Sequence, residues 1–390
     1  MKPASRQQAV IVDAVRTPIG RAHPERGVYR DVRGDDLLVT VLRALVERTG
    51  VDPAAIDDVL VGCTQQQGEQ GLNVARLAAL MADLPVSVAG ATVNRLCGSS
   101  LQALNQAAHS IVAGGEDVHL VAGVEHMHHY PMDAGLDLNP RLLHRTSKGA
   151  LMMGVTAEFL AQSDGVDRGE QDRFALASHQ KAALAHDSHG FASEIVPTWG
   201  RDEAGQRVLV NQDQCVRRDT SLDALAELRP AFLPGLGTVT AGNSSPLNDG
   251  AAALLVMSDR RAAELGLSPI ARVVSTAVAG VDPCVMGTGP VPATHKALDR
   301  AGMTIGDVDL VELNEAFAAQ ALACVRRLGL DESRVNVHGG AIAIGHPLGA
   351  SGARIATTLL HAMVARNATV GLATMCIGAG QGVATVLERL

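Results

Sequence analysis

Two cysteines, a histidine and an asparagine stand where apolar runs give way to a helix or a glycine-rich turn, and these residue types suit nucleophilic catalysis with acid/base support. Cys97, in VNRLCGSSLQAL, follows a predicted strand Val88 to Val93 and precedes a helix whose apolar face begins at Leu101. A thiol there sees roughly half a positive charge and free N–H groups, which favour thiolate, so a lowered pKa is expected. A buried structural cysteine is the other reading. His346, in GGAIAIGHPLGASGARI, occupies the corresponding strand-to-helix junction of the second half. An imidazole beside such a thiol serves as base and as imidazolium partner; taken alone it reads as a hydrogen-bonded packing residue. Cys376 closes the last long strand in GLATMCIGAGQG, where a turn of small residues lets backbone N–H groups approach a ligand, or simply makes a tight hairpin before Val383 to Leu387. Asn314 follows the run Asp309 to Leu313 in NEAFAAQ, either as a helix cap or orienting a water toward a developing negative oxygen. Its neighbour Glu315 reads as structural.

The elements that must position these groups alternate between strand and helix. Val10 to Ala14, a helix carrying Leu37, Leu38, Val41, Leu42 and Leu45, and Val59 to Val61 come first. Val88 to Val93, a helix with Leu101, Leu104, Ala108 and Ile111, and Val118 to Ala122 follow. The same order returns in Val335 to Val337, a helix with Ile355, Leu359 and Met363, and Thr369 to Met375. ALVERTGVDPAAIDDVLVGC at 44–63 resembles ALDRAGMTIGDVDLVELNE at 297–315, which implies two pseudo-symmetric α/β halves. Residues 123–249 lack this rhythm apart from a helix around Glu170 to Ala185, and are expected to form an inserted loop domain. The division is 1–122 for the first half, completed by 250–268, and 269–390 for the second.

Composition narrows the class. Of 390 residues 47% are hydrophobic but only 2% aromatic, so a large core must be built from small and aliphatic side chains. A net charge of -8 argues against coating nucleic acid or anionic membrane, and no apolar run approaches the roughly 18–20 residues of a membrane span. The N-terminus reads as no secretory signal and the Glu-Arg-Leu ending as no peroxisomal address, so a cytoplasmic protein is expected. Six cysteines without a C-x-x-C pair signal neither a disulfide framework nor a structural zinc, and His126, His128 and His129 lack further ligands, so no metal is expected. Gly345, Gly349 and Gly352 do not fit the dinucleotide pattern G-x-G-x-x-G.

VNRLCGSS, NEAF, GHPLGASGAR and MCIGAGQG, with MGVTAE and TAGNSSPLNDGAAA between them, together resemble the thiolase family over essentially the whole chain. That resemblance implies a five-layered α/β/α/β/α core, in agreement with the repeat. EHMHHYPMDAG, MMGVTAEFLA, GPVPA and the final GLATMCIGAGQGVATVLERL are most similar to the family's bacterial degradative branch, which cleaves 3-ketoacyl-CoA with coenzyme A in fatty-acid β-oxidation. The resemblance assigns Cys97 as nucleophile on the 3-keto carbon and His346 as activator of Cys97 and of the coenzyme A thiol. It assigns Cys376 as the acid that protonates departing acetyl-CoA and later acts as base. Asn314, through a water, and His346 would hold the enolate oxygen, and the backbone amides of Cys97 and Gly378 the tetrahedral oxyanion. Coenzyme A, a substrate rather than a cofactor, would meet Arg217, Ser245 and Met153, and the acyl chain Met152 and Phe317. Arg141, His144, Arg145, Lys148 and Arg218 offer further basic surface in the insertion, or merely a solvated face.

Met152 stands where many acetoacetyl-CoA thiolases carry histidine, which favours a broader 3-ketoacyl range. An acetoacetyl-CoA thiolase, a decarboxylating ketoacyl synthase and a non-catalytic lipid carrier or scaffold are the rival readings; the synthases generally lack a counterpart of Cys376, and a carrier would not need Cys97 and His346. The resemblance also implies a homodimer or homotetramer and, as an expected companion, an α subunit with hydratase and dehydrogenase activities.

Overall fold

The computed structural model describes residues 7–133 and 135–390. Its principal elements in chain order are β1 (Ala9–Arg16), α1 (Gly34–Thr49), β2 (Asp58–Gly62), α2 (Val74–Met81), β3 (Ala89–Val93), α3 (Ser99–Ala113) and β4 (Val118–His126). Then come α4 (Met153–Ser163), α5 (Arg168–Asp187), β5 (Asn248–Ser258), β6 (Ala271–Gly280), α6 (Pro290–Ala301), β7 (Leu310–Leu313), α7 (Ala318–Leu328), α8 (Ser351–Ala365), β8 (Val370–Ile377) and β9 (Gln381–Arg389).

The strand pairing carries the repeat into three dimensions. In the first half the order is β3–β2–β4–β5–β1, the first two pairings parallel and the last two antiparallel. In the second half a single parallel bridge from Val335 to Val311 is followed by β7–β8 parallel, then β8–β9 and β9–β6 antiparallel. The halves meet where β1 pairs with β6, at Val10 with Arg272 and Ile11 with Ala271. The predicted strand Val335 to Val337 shrinks to that one bridge because Asn336 adopts φ +46°. Its side chain substitutes for a strand instead, accepting from the Leu313 amide and donating to the Leu313 carbonyl, both at 2.9 Å.

Three apolar clusters separate the layers. α1 and α2 cover one face of the first sheet through Leu38, Leu42, Ala75 and Ala78 against Val59, Val61, Leu120 and Leu255. α3 and α8 lie between the two sheets, with Leu101, Leu104, Ile355 and Leu359 packed against Leu60, Val121, Leu254, Ala373 and Met375. α6 and α7 cover the far face through Ala297, Leu298, Ala321 and Val325. The result is five layers, α/β/α/β/α, as the resemblance implies, in two halves as the repeat predicts. The central layer is close-packed because the crossing points are small: a Cβ on Gly352 would stand 2.2 Å from the Leu101 amide. Both junctions of interest, the turn before α3 and the segment before α8, open at the same end of this layer.

Candidate active site

Cys97 is fixed by the turn that joins β3 to α3. Leu96 takes φ +46°, Ser99 donates its hydroxyl to the Leu96 carbonyl at 2.5 Å and accepts from the Arg95 amide at 2.9 Å, and Gly98 is the N-cap residue. Cys97 therefore precedes the helix by two residues, with its side chain buried. Burial pushes its thiol up to about 11, opposed by the amides of Gly378 and of Cys97 itself, which point at the sulfur. The expected lowering is thus not found: desolvation outweighs the helix N-terminus, and the resting nucleophile is a protonated thiol that needs a base.

His346 is held from three sides. Its amide donates to Asn248 Oδ1 at 2.8 Å, its Nδ1 lies 2.5 Å from Ser351 Oγ, and its Nε2 lies 3.4 Å from Asn314 Nδ2. Ser351 spends its own proton on the Pro347 carbonyl at 2.8 Å, so its oxygen accepts from Nδ1–H and leaves the Nε2 lone pair as the basic position. Burial, with the nearby Arg354 charge adding to it, pushes the imidazole down to about 3. It rests as a neutral base. The preceding Gly345 has φ +123°, and a Cβ there would fall 2.6 Å from Asn248, so only glycine delivers the histidine to this place.

Asn314 directly follows β7, its amide bonded to the Thr374 carbonyl at 3.1 Å on the adjoining strand, two residues before Cys376. It is fully buried, and its Oδ1 has no hydrogen-bond partner among the described residues, an acceptor left facing the site. Cys376 is buried at the end of β8; burial holds its thiol well above the usual range, and the neighbouring Cys97 raises it further. The turn beyond it, Gly378 to Gly380, has Ala379 at φ +61° and Gly380 at φ +85°, where a Cβ would meet the Val281 carbonyl at 2.3 Å. This turn aims the Gly378 amide at Cys97. The hairpin reading of the segment holds, with its Gly378 amide directed at the Cys97 sulfur.

Glu315 sits apart, taking hydrogen bonds from Ser178 Oγ and Asn336 Nδ2 at 2.7 Å and from the Ile342 amide at 3.2 Å, a structural role as expected. Sequence reasoning missed Asn248, Ser351 and Glu125. Fully buried Glu125 accepts from the amides of Gly349, Thr64 and Gln65 at 2.7, 3.0 and 3.0 Å, tying the loop after His346 to the first half. A single acid in the largely apolar run of β4 was the available signal.

Around Cys376 the side chains are apolar: Met153, Ala157, Ala161, Val239, Met286, Ala316 and Phe317 form one cluster with it. Phe317 meets the ring of Phe232 edge to face at 5.9 Å. Met152, by contrast, is 56% exposed and stands at the rim rather than in this wall. Ser245 bonds the Ala316 carbonyl through its amide at 3.0 Å and its hydroxyl at 3.1 Å. Arg217 donates its amide to His179 Nδ1 at 3.1 Å, and Arg218 is engaged with Asp187 at 2.7 Å. Arg141, His144 and Arg145 lie exposed on or beside a short 3₁₀ turn. The histidine cluster serves packing: His126 and His129 stack at 3.8 Å, and His129 bonds Glu69 at 2.9 Å.

Family comparison agrees with this geometry along the whole chain. Residues 9–260 match the thiolase N-terminal domain and residues 267–389 the thiolase C-terminal domain. The chain is 54% identical to the 3-ketoacyl-CoA thiolases of Cronobacter sakazakii and Salmonella typhimurium over 388 residues, and to that of Shewanella loihica over 387, covering 98% of this chain and 100% of each relative. The crystal structure of the Bacillus anthracis acetyl-CoA acetyltransferase superposes with a TM-score of 0.90 at 40% identity, covering 99% of this chain and 100% of that one. With the five layers, the buried thiol and the matched histidine junction all in place, the chain belongs to the thiolase family.

Proposed function

We propose that this acyltransferase is a degradative 3-ketoacyl-CoA thiolase acting in fatty-acid β-oxidation, cleaving 3-ketoacyl-CoA with coenzyme A to acetyl-CoA and a shortened acyl-CoA. The observation that carries the mechanism is that both groups rest neutral, the Cys97 thiol under the Gly378 amide and the His346 base held by Ser351. His346 Nε2 takes the Cys97 proton, and the sulfur attacks the 3-keto carbon. The amides of Cys97 and Gly378 hold the resulting oxyanion. The bond between C2 and C3 then breaks, leaving an acyl-Cys97 thioester and an acetyl-CoA enolate. The imidazolium and Asn314 stabilise the enolate oxygen, and the Cys376 thiol delivers a proton to C2. After acetyl-CoA leaves, the Cys376 thiolate takes the proton of the incoming coenzyme A thiol beside His346. Coenzyme A sulfur attacks the thioester, and His346 returns its proton to Cys97. The cycle closes without a metal or redox cofactor.

Arg217, Ser245 and Met153, all in the insertion, are proposed as coenzyme A contacts, supported by the Ser245 hydrogen bonds to Ala316 and the packing of Met153 with Phe317 in the NEAF segment. Phe317 and Met153 are proposed to wall the acyl pocket, with Met152 at its rim. The domain division 1–122 with 250–268, 123–249 and 269–390 is kept as a proposal, β5 completing the first sheet. No helix among the described residues is long and apolar enough to cross a membrane, and a cytoplasmic location is proposed. A homodimer is proposed through the open edge of β3, whose residues are mostly exposed or half-buried and are flanked by Leu72 at 88% and Val86 at 81% exposure. Tetramers and an α-subunit partner remain further proposals of the same reading.

Thiolysis of a four-carbon and a long-chain 3-ketoacyl-CoA by purified protein tests the assignment. Cleavage of both supports the degradative reading; cleavage of the four-carbon substrate alone moves it to an acetoacetyl-CoA thiolase.

A further inference from the structure

An alternating strand places every second residue on one face, so Glu312 of β7 and Asn314 just beyond it both address the central helical layer. Two polar ties cross from this edge to the segment that carries His346. Asn314 Nδ2 lies 3.4 Å from His346 Nε2, and Arg354 Nη1 lies 3.4 Å from Glu312 Oε2. Ser351, which holds His346 Nδ1, and Arg354 are three residues apart on α8 and share a helix face.

The pair is fully buried, yet Arg354 Nε and Nη2 and Glu312 Oε1 have no hydrogen-bond partner among the described residues. Such an ion pair adds little stability over apolar residues of similar volume, so packing alone does not account for the charges. The first half supplies an internal comparison. Asp57 Oδ2 accepts from the amides of Asp117 and Val118 as Asp309 Oδ2 accepts from those of Thr369 and Val370, which fixes the register between β2 and β7. Three residues further on, the partner of Glu312 is Leu60. Arg354 is the fourth residue of α8, and the fourth residue of α3 is Gln102. The half that presents Cys97 fills these places without ionisable groups; the half that presents His346 uses an Arg–Glu pair, in which burial pushes the Glu312 carboxyl up to about 8 against the pull of Arg354.

We propose that Arg354 and Glu312 are positioning residues for thiolysis, their buried pair fixing the rotation of α8 against β7 and so the place of His346 Nε2 relative to Asn314 and the Cys97 sulfur. This rests on the thiolase reading above. Arg354 is also the charge that disfavours protonation of His346, in keeping with a base that must rest neutral.

The test is the double variant Arg354→Gln with Glu312→Leu, which installs the first half's residues and removes both ionisable groups together. Glu312→Gln serves as a milder companion should the double variant not fold, and Arg354→Lys as the conservative rescue. The double variant or the companion is expected to lower kcat about 10- to 100-fold with KM for coenzyme A within about twofold of wild type, because the base is misplaced while the binding surface is untouched. Iodoacetamide alkylation of Cys97 at neutral pH should slow in parallel, and Arg354→Lys should recover part of both. A folded variant that keeps wild-type kcat and alkylation rate overturns the proposal, as does a loss of kcat matched by an equal rise in KM. If wild type itself fails to cleave 3-ketoacyl-CoA, the functional reading fails, and the alkylation rates still decide the role of the pair.

Discussion

Asn314 Nδ2 faces His346 Nε2 at 3.4 Å although 32 residues separate them, and Asn314 Oδ1, in a buried site, has no partner among the described residues. The contact marks Nε2 as an acceptor, and so as the basic nitrogen. It also brings an amide beside the place where an enolate oxygen would be stabilised. Replacing Asn314 by Ala should lower kcat by about 10²–10³ while leaving KM for coenzyme A nearly unchanged, since a donor aimed at developing charge is lost. Steady-state thiolysis kinetics check this.

The protonation states lead to a prediction in pH. With the Cys97 thiol raised to about 11 and His346 lowered to about 3, neither group titrates between pH 5.5 and 8.5 in the free protein. A raised thiol pKa means the thiolate fraction grows roughly tenfold for each pH unit below that value. Alkylation of Cys97 by iodoacetamide should therefore climb log-linearly through neutrality with no plateau. A plateau near pH 7 would instead reveal a thiolate–imidazolium pair.

Cys376→Ser and Cys97→Ser should fail differently. Serine at 97 removes the nucleophile, so no acyl adduct appears by mass spectrometry when 3-ketoacyl-CoA is added. Serine at 376 removes the acid for C2 while Cys97 still stands under the Gly378 amide. Turnover should fall by at least about 10² in that variant, with Cys97 remaining open to acylation by acyl-CoA.

Backbone conformation at residue 345 offers a fourth check. Gly345→Ala places a Cβ at φ +123° and 2.6 Å from Asn248, whose Oδ1 holds the His346 amide. Displacing His346 by about 1 Å is expected to cost on the order of 10² in kcat. Circular dichroism should show the fold retained.

Stability of the insertion depends on a buried charge network. Arg16 of β1 bonds Glu194 at 2.6 Å and Asp213 at 2.7 Å, all three fully buried, and so anchors the insertion to the first sheet. Asp213→Asn leaves the guanidinium partly uncompensated and should destabilise the protein by about 3–5 kcal/mol. Thermal or urea unfolding measures it. The Arg16 charge holds the Asp213 carboxyl below its ordinary range against the opposing effect of burial. Its contribution is therefore present above the unfolded pKa of about 4 and is lost only as pH falls below that.

The sequence by itself determined the repeat and the junctions at which Cys97, His346, Asn314 and Cys376 stand, because hydrophobic period and glycine-bearing junctions are local signals, while the five layers were implied by the family resemblance of those motifs. It also gave Glu315 its structural role. What it could not determine was the electrostatic state of the nucleophile: a helix N-terminus is visible in a sequence, but the burial that outweighs it comes from residues far away in the chain. Val335 to Val337 carries an apolar pattern, yet Asn336 folds back on Leu313 and ends the strand, a choice made by a side-chain contact across 23 residues. Met152 beside Met153 shows the same limit, since only the entry angle of α4 decides which of two adjacent methionines joins Cys376 and which faces outward. Asn248, Ser351 and Glu125 stayed hidden for a related reason. Asn248 and Glu125 act by completing hydrogen bonds that exist only once the two halves close on each other, whereas Ser351 meets His346 five residues away through the turn that enters α8.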